Sequence, residues 1–409
     1  MVKPGYKQTE VGIIPKEWED KKLGDIGKVC MCKRIFADQT SGTGEIPFYK
    51  IGTFGKEADA YISRELYEDF KRRFSYPQKG DVLISAAGTL GRSVVFDGKD
   101  SYFQDSNIVW LDIDKEQLCN EYLYHYYKVI QWASSEGSTI ARLYNGIICN
   151  THIAVPDVEE QKKIANVLSD VDELIFLTEK QLSKKKAIKQ GAMQELLTGK
   201  KRLPGFSGEW SNFNLMKHSK IKARIGWQGL KKSEYLDSGY ALLVTGTDFA
   251  DGKVQWDSCH YVTRDRYDQD RNIQIQNNDI LITKDGSLGK AALVQGLTKP
   301  ATLNSGIFVI RPLQNAYDPV FVYHILSSLV FKDFLDKLSA GSTIIHLYQK
   351  DVGKFEFLLP PTIEEQKDIA AVLSEMDADI AALEEKLAKY RQVKQGMMQQ
   401  LLTGKIRLV

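Results

Sequence analysis

Glu159-Glu160-Gln161-Lys162-Lys163-Ile164-Ala165 returns later in the chain as Glu364-Glu365-Gln366-Lys367-Asp368-Ile369-Ala370. The offset is 205 residues (364 − 159). The same offset carries Lys189-Gln190-Gly191-Ala192-Met193 onto Lys394-Gln395-Gly396-Met397-Met398, and Leu196-Leu197-Thr198-Gly199-Lys200 onto Leu401-Leu402-Thr403-Gly404-Lys405. An ungapped match over about forty residues is an internal duplication, and it organises the rest of the sequence.

Upstream the match weakens but stays collinear. Asp81-Val82-Leu83-Ile84-Ser85 with Gly88-Thr89-Leu90-Gly91 answers to Asp279-Ile280-Leu281-Ile282-Thr283 with Gly286-Ser287-Leu288-Gly289. Tyr124-His125 pairs with Tyr323-His324, Gly137-Ser138-Thr139-Ile140 with Gly341-Ser342-Thr343-Ile344, and Leu143-Tyr144 with Leu347-Tyr348. Each half is therefore a globular domain of about 150 residues that differs between copies, followed by a segment of about forty that hardly differs. The boundaries fall at 1–157, 158–200, 201–361 and 362–409.

The conserved segments read as long helices. Asp157 is placed to cap the first, with Glu160 three residues on; Thr362 and Glu365 take the same positions in the second, a capping-box pattern. In the second copy apolar residues recur at three- and four-residue steps through Ile369, Leu373, Met376, Ile380, Leu383, Leu387, Tyr390, Val393, Met397 and Leu401. The first copy follows through Ile164, Leu168, Val171, Ile175, Leu182, Ile188, Ala192 and Leu196, interrupted by Thr178 and Lys185. About forty helical residues reach roughly 60 Å, so such helices need partners. Paired antiparallel, they become a spacer with approximate twofold symmetry between the two domains. A lone seam of this kind reads most simply as a dimerising coiled coil. A ruler between two similar but non-identical domains fits instead a ligand with two non-identical half-sites, and DNA, with a helical repeat of roughly 34 Å, meets that description.

The variable domains carry short β-rich runs at 81–85, 92–96, 108–113, 279–283, 291–294 and 307–311, joined by Gly-rich loops, with one shorter helix each near 120–134 and 319–338. Their fold class is α+β. Trp18 and Trp210, near the two domain starts, read as core residues. Groups suited to a DNA ligand sit in loops: Lys33 and Arg34 beside Ser41-Gly42-Thr43-Gly44, and Arg224, Gln228, Lys231 and Lys232 around Trp227. Lys50 and Thr245 join them as candidates, although a basic loop is also often only a solvated one. Thr89 with Arg92, and Ser287 with Lys290, combine a hydroxyl, backbone amides and a cation that can hold a phosphate; a tight structural turn is the equal alternative. Arg142 and His346 lie just before the long helices, placed either to touch a DNA backbone or to brace the helix start.

The arrangement of variable domain, Glu-Glu-Gln-Lys-Lys-Ile helix ending in Leu-Leu-Thr-Gly-Lys, then Arg202-Leu203-Pro204-Gly205-Phe206 and a second round, resembles type I restriction-modification specificity subunits over nearly the whole chain. Arg224-Ile225-Gly226-Trp227-Gln228-Gly229-Leu230 also looks like that family at a target-recognition loop. The resemblance implies two target-recognition domains, each reading half of a bipartite site in double-stranded DNA. The paired helices would fix the spacer and help dock two adenine methyltransferase subunits, with restriction subunits added to the same complex. Catalysis and its cofactors, S-adenosylmethionine and ATP, would then belong to the partners, and this chain would bind none itself.

The enzyme alternatives are poor. Leu359-Pro360-Pro361-Thr362 is not the Asp/Asn-Pro-Pro-aromatic motif of adenine methyltransferases. A nuclease built on Asp157 and Glu160 fails because the second copy has Thr362 in place of the Asp. The six histidines show no metal-ligand spacing, and His125 and His324 read as helix-packing residues. A coiled-coil scaffold whose globular ends bind protein or RNA is the remaining alternative. The formal charge of +2 requires any nucleic-acid surface to be concentrated on one face. Five cysteines without paired spacing read as reduced thiols. The segment from Met1 to Glu10 lacks a signal-peptide core and no run is apolar enough to span a bilayer, so the expectation is a cytoplasmic protein with no membrane partner.

Overall fold

The computed structural model describes residues 2–133, 142–339 and 346–409. The Gly-Ser-Thr stretches at 137–139 and 341–343, singled out in the sequence, lie outside the described residues. The chain divides into two units: Met1–Glu179 with Glu385–Val409, and Lys180–Glu384. Each contains one variable domain, the first half of one long helix and the second half of the other.

In the first unit an antiparallel sheet orders its strands Gly27–Met31, Ile108–Ile113, Val82–Ser85 and Ser93–Val95. Val82 to Ser85 is buried on both faces, as a central strand of continuous apolar sequence should be. A smaller sheet sets Ile46–Tyr49 against Tyr61–Ile62 and, in parallel, against Tyr102–Phe103. Helix Asn120–Tyr127 packs Tyr122, Leu123 and Tyr126 into the core.

The second unit repeats this plan. Strands Ser219–Lys222, Ile307–Pro312, Ile280–Thr283 and Ala291–Leu293 follow one another in the same antiparallel order, and Lys253–Val254 with Phe249–Ala250 extends the sheet. Ala241–Val244 pairs with His260–Val262 and, in parallel, with Ala301–Leu303. Where the sequence predicts one helix near 319–338 the structure has two, Pro319–Leu326 and Leu329–Ser339. Ser327 closes the first and the Ser328 hydroxyl accepts from the Val330 amide to start the second, which is how serines interrupt a helix.

The long helices run Val158–Leu196 and Ile363–Leu401. Both stop at a left-handed glycine, Gly199 at φ 70° and Gly404 at φ 67°, with the Lys201 and Ile406 amides bonding back to Glu195 and Gln400. Within each unit their halves pair antiparallel. In the first, Asp172 meets Lys394 and Glu179 meets Arg391; in the second, Lys189 meets Asp377 and Lys186 meets Glu384. Two seam expectations need correction: Ile188 and Val393 are 48% and 44% exposed. Thr178, read as an interruption, is instead buried, its hydroxyl satisfied by the Leu174 carbonyl one turn back.

Each domain core is closed by the C-terminal end of a long helix. Met398, Leu401 and Leu402 complete the first core, and Met193, Leu196 and Leu197 the second. A buried side chain of this size contributes on the order of 2 kcal/mol, so these turns are integral to the domains. Among the described residues no helix is long and apolar enough to cross a membrane.

Candidate nucleic-acid interface

Two kinds of polar construction stand out, one inward and one outward. Inward, the carboxylates of Glu160 and Glu365 are 1% and 0% exposed. Asp157 and Thr362 do cap the helices, accepting from the amides of Glu160 and Glu365 at 2.9 and 3.2 Å. The capping-box expectation is corrected in its second half, because the glutamate side chains turn away from the caps. Glu160 accepts both forks of Arg407 (2.7 and 2.8 Å), the Trp18 indole (3.0 Å) and the Leu408 amide (3.2 Å). Glu365 accepts Arg202 in the same bidentate manner (2.9 and 2.5 Å) and the Trp210 indole (3.4 Å). Beside them Gln161 bonds the Cys119 amide and Gln366 the Asp318 amide, at 2.9 and 2.8 Å.

His125 and His324 are buried against the helices, their Nε2 atoms 3.0 and 3.2 Å from Ser169 and Ser374. Burial depresses both imidazoles to about 4, so they are neutral at physiological pH. Burial also pushes the thiols of Cys32 and Cys259 up to about 12, which leaves them protonated and unreactive.

Outward, four segments of the first unit converge. Arg34 pairs with Asp105 at 2.7 Å, and Arg142 donates to Ser106 Oγ at 2.8 Å while bridging to Ala87. The loop at 33–39, the loop at 104–107, the turn at 86–92 and residue 142 therefore share one face. The second unit builds the equivalent face from 224–232, 303–306, 284–290 and residue 346. There the His346 ring meets the Asp285 carboxylate across a β-bridge, and the Lys284 amide bonds Gly306.

The candidate residues divide sharply in exposure. Lys33, Arg34, Thr43, Thr89, Trp227, Lys231, Lys232, Ser287, Lys290 and His346 are exposed, and Lys50, half-buried, pairs with Asp59 at 2.8 Å. Lys33 also lies 5.2 Å from the Phe74 ring centroid. Arg224, Gln228 and Thr245 are buried, which corrects the expectation that they offer their side chains to a ligand. Arg224 bonds the Leu303 carbonyl and the Thr302 hydroxyl at 2.8 and 3.2 Å, and so anchors the root of its loop. Thr245 donates to Asp248 at 2.9 Å.

The two Gly-rich turns are each closed by hydrogen bonds of their own. Ser85 Oγ donates to the Thr89 carbonyl and accepts from the Arg92 amide; Thr283 Oγ1 does the same for Ser287 and Lys290. Arg92 and Lys290 then donate to the Phe54 and Phe249 carbonyls at 3.1 and 2.5 Å. Both cations thus tie their turn to a neighbouring segment.

Phe36, absent from the sequence candidates, is 60% exposed on the same face as Lys33 and Arg34. Nothing in the sequence sets it apart, since an aromatic beside an Arg-Ile pair reads equally as a core residue.

A family model described as the type I restriction modification DNA specificity domain matches residues 15–187 and 228–392. A protein of Haemophilus influenzae named as a type I restriction enzyme specificity subunit is 56% identical over 153 residues, spanning 37% of this chain and 40% of that one. The MjaX specificity subunit of Methanocaldococcus jannaschii is 25% identical across 98% of this chain and 97% of its own. Among solved structures, the type I restriction-modification S subunit of M. genitalium aligns with a TM-score of 0.64 at 15% identity, covering 98% of both chains. A chain from a study of assembly and conformational transition of the type I system aligns at 0.56 and 17%, covering 96% of this chain and 99% of that one. These last two likenesses are of fold.

Proposed function

The chain belongs to the type I restriction-modification DNA specificity family and is a specificity subunit of such a system, and from that premise we propose that each of its two units reads one half of a split target in double-stranded DNA. The long helices would set the non-specific spacer between the halves and dock two methyltransferase subunits, to which restriction subunits are added. The subunit itself contributes no catalytic group; it positions partners whose chemistry modifies or cuts the DNA.

The observation that carries this reading is the repetition of one joint beneath two different loop sets. Glu160 and Glu365, each held by a bidentate arginine and a tryptophan indole, fix a domain to its helix in the same way. The loops above the joint differ in length and side chains. Exposed Lys33 and Arg34 in one unit, and Lys231 and Lys232 in the other, suit phosphates and guanine edges. A molecule meant to hold one geometry while changing what it reads needs this division.

Methylation mapping tests it. DNA from cells expressing this chain with its neighbouring methyltransferase should carry a split adenine motif. Exchanging Pro15 to Asn150 for the corresponding segment of a homologue should change one half of that motif and leave the other. A motif indifferent to the exchange would overturn the assignment of halves to units.

A further inference from the structure

Five cations of the first unit gather beside Phe74 from three separate segments. Helix Arg64–Arg73 carries Lys71, Arg72 and Arg73 in its last turn, and Phe74 closes it. The Lys33 ammonium, from the loop after strand Gly27–Met31, and the Arg73 guanidinium each lie 5.2 Å from the centre of the Phe74 ring. Beside that ring is a shallow recess of about 470 Å³ whose lining includes Lys71, Tyr76, Lys79 and Phe96. The lysines of the recess are held in place. Lys71 donates to the Tyr67 hydroxyl at 2.7 Å and lies over the Tyr67 and Tyr76 rings. The Lys79 stem lies along Gly98, at φ 85°, where a Cβ would come within 3.1 to 3.2 Å of three stem carbons.

Carboxylates are outnumbered here. Asp69 serves both Arg72 and Arg73, at 3.1 and 2.7 Å, and Asp100 takes Lys71 at 3.8 Å while holding Arg64 at 3.1 Å. Lys33 and Lys79 have no ion-pair partner among the described residues; the carboxylates near them, Asp105 and Asp97, take Arg34 and Lys99. A helix C-terminus attracts cations, which accounts for Lys71, Arg72 and Arg73. It does not account for Lys33 and Lys79, which are brought up from elsewhere against the repulsion of like charges. An anion among them relieves that repulsion. The second unit offers the contrast. Its counterpart helix, Arg264–Asp268, is capped by Thr263 as Ser63 caps the first, but has five residues instead of ten. There Arg264 pairs with Asp268 at 3.5 Å and Arg266 with Glu234 at 2.6 Å, so each arginine of the helix has a carboxylate of its own.

Lys33 joins this cluster to the loop at 33–39, and so to the outward face that carries the candidate DNA contacts. Duplex DNA offers anions beyond any sequence that is read, because its phosphates continue on both sides of a target. Resting on the function proposed above, we infer that the end of helix Arg64–Arg73, with Lys33 and Lys79, is a phosphate clamp on the duplex backbone at the half-site read by the first unit, without an equivalent at the counterpart helix of the second. The clamp adds affinity through counterion release and carries no sequence information. The two halves of the target are therefore held unequally, one of them with an extra grip on the backbone.

Binding of the full chain, assembled with its methyltransferase, is measured from about 50 to about 200 mM salt on a duplex carrying the mapped motif and on one lacking it. Arg72→Gln combined with Lys79→Gln should weaken binding to both duplexes about 10-fold at the low-salt end. It should also lower the slope of log affinity against log salt by about 2, one phosphate for each cation. The preference for the motif should stay within about 2-fold of the parent's, since backbone contacts do not read sequence. Arg72→Lys combined with Lys79→Arg keeps the charges and should keep the parent slope, and so should Arg264→Gln in the second unit. An unchanged slope in the glutamine variant overturns the inference, as does an equal fall for Arg264→Gln or for the charge-preserving variant. Loss of assembly with the methyltransferase in the absence of DNA, at an unchanged slope, would make the cluster a protein contact and overturn it as well. If the unaltered complex shows no preference for the mapped duplex, the proposed function itself fails, and this inference with it.

Discussion

In the first unit Arg407 forks onto Glu160 and Trp18 covers the pair; in the second Arg202 forks onto Glu365 beneath Trp210. His125 meets Ser169 and His324 meets Ser374. Against this near identity, the outward faces share the braced turn and differ in most of their exposed side chains. Helix Arg64–Arg73 of the first unit is shortened to Arg264–Asp268 in the second, which extends its sheet by two short strands. The contrast teaches where the molecule tolerates change. A β scaffold accepts new loops at little cost, because loop backbone stays at the surface. The joint cannot drift in the same way, since a buried carboxylate that loses a partner keeps its full desolvation penalty.

The largest test of that equivalence is at the tryptophans. Trp18 is fully buried, whereas Trp210 is only partly so. Trp18→Ala should destabilise the first unit by about 4 kcal/mol and Trp210→Ala the second by visibly less, read by denaturant unfolding of the full chain. Equal losses would mean that the difference in burial has no energetic meaning.

The arginines come next. Arg407→Ala and Arg202→Ala each strand a buried glutamate and should cost about 3 kcal/mol. Among the described residues Glu160 keeps two donors after the loss, Trp18 and the Leu408 amide, whereas Glu365 keeps only the longer Trp210 bond. The Arg202 variant should therefore be the less stable, and the reverse order would break the account of what satisfies these carboxylates.

The histidines give a pH signature. An unfolded imidazole takes its proton near pH 6.5, whereas the buried ones refuse it until about pH 4. The unfolded chain thus binds more protons in that window, and stability present above pH 6.5 falls as the pH drops toward 4, by on the order of 3 kcal/mol per histidine. His125→Gln and His324→Gln should each flatten the acid limb of the stability profile, most visibly near pH 5. An acid limb unchanged in the double variant would sink the claim that these groups are neutral when folded. The smallest effect belongs to the exposed helix pair Lys185 with Asp379, 2.6 Å apart. Lys185→Ala should cost less than about 0.5 kcal/mol, and a larger loss would show the helix surface to be more cooperative than its exposure suggests.

The duplication, the long helices and their caps were legible because they are local or periodic signals. What Glu160 and Glu365 hold was not, since their arginines lie 247 and 163 positions away and no local pattern announces them. Arg224 reads as a contact residue in a basic loop, yet Thr302 and Leu303 draw it inward. Thr178 reads as a flaw in the seam until its bond to the preceding turn is seen. Tertiary partners decided these cases, and composition could not.

The closing of each core by a long-helix end also bears on synthesis. The second unit is one uninterrupted stretch of chain, whereas the first needs Met398, Leu401, Leu402 and Arg407 before its core and its buried glutamate are satisfied. At translation speeds of about 5–20 residues per second, the domain made first must wait on the order of tens of seconds for its final turn. During that interval Trp18 and Glu160 lack the lid they have in the finished protein. The earliest-made part of the molecule is thus among the last to mature, a natural point for a chaperone to act or a protease to intervene.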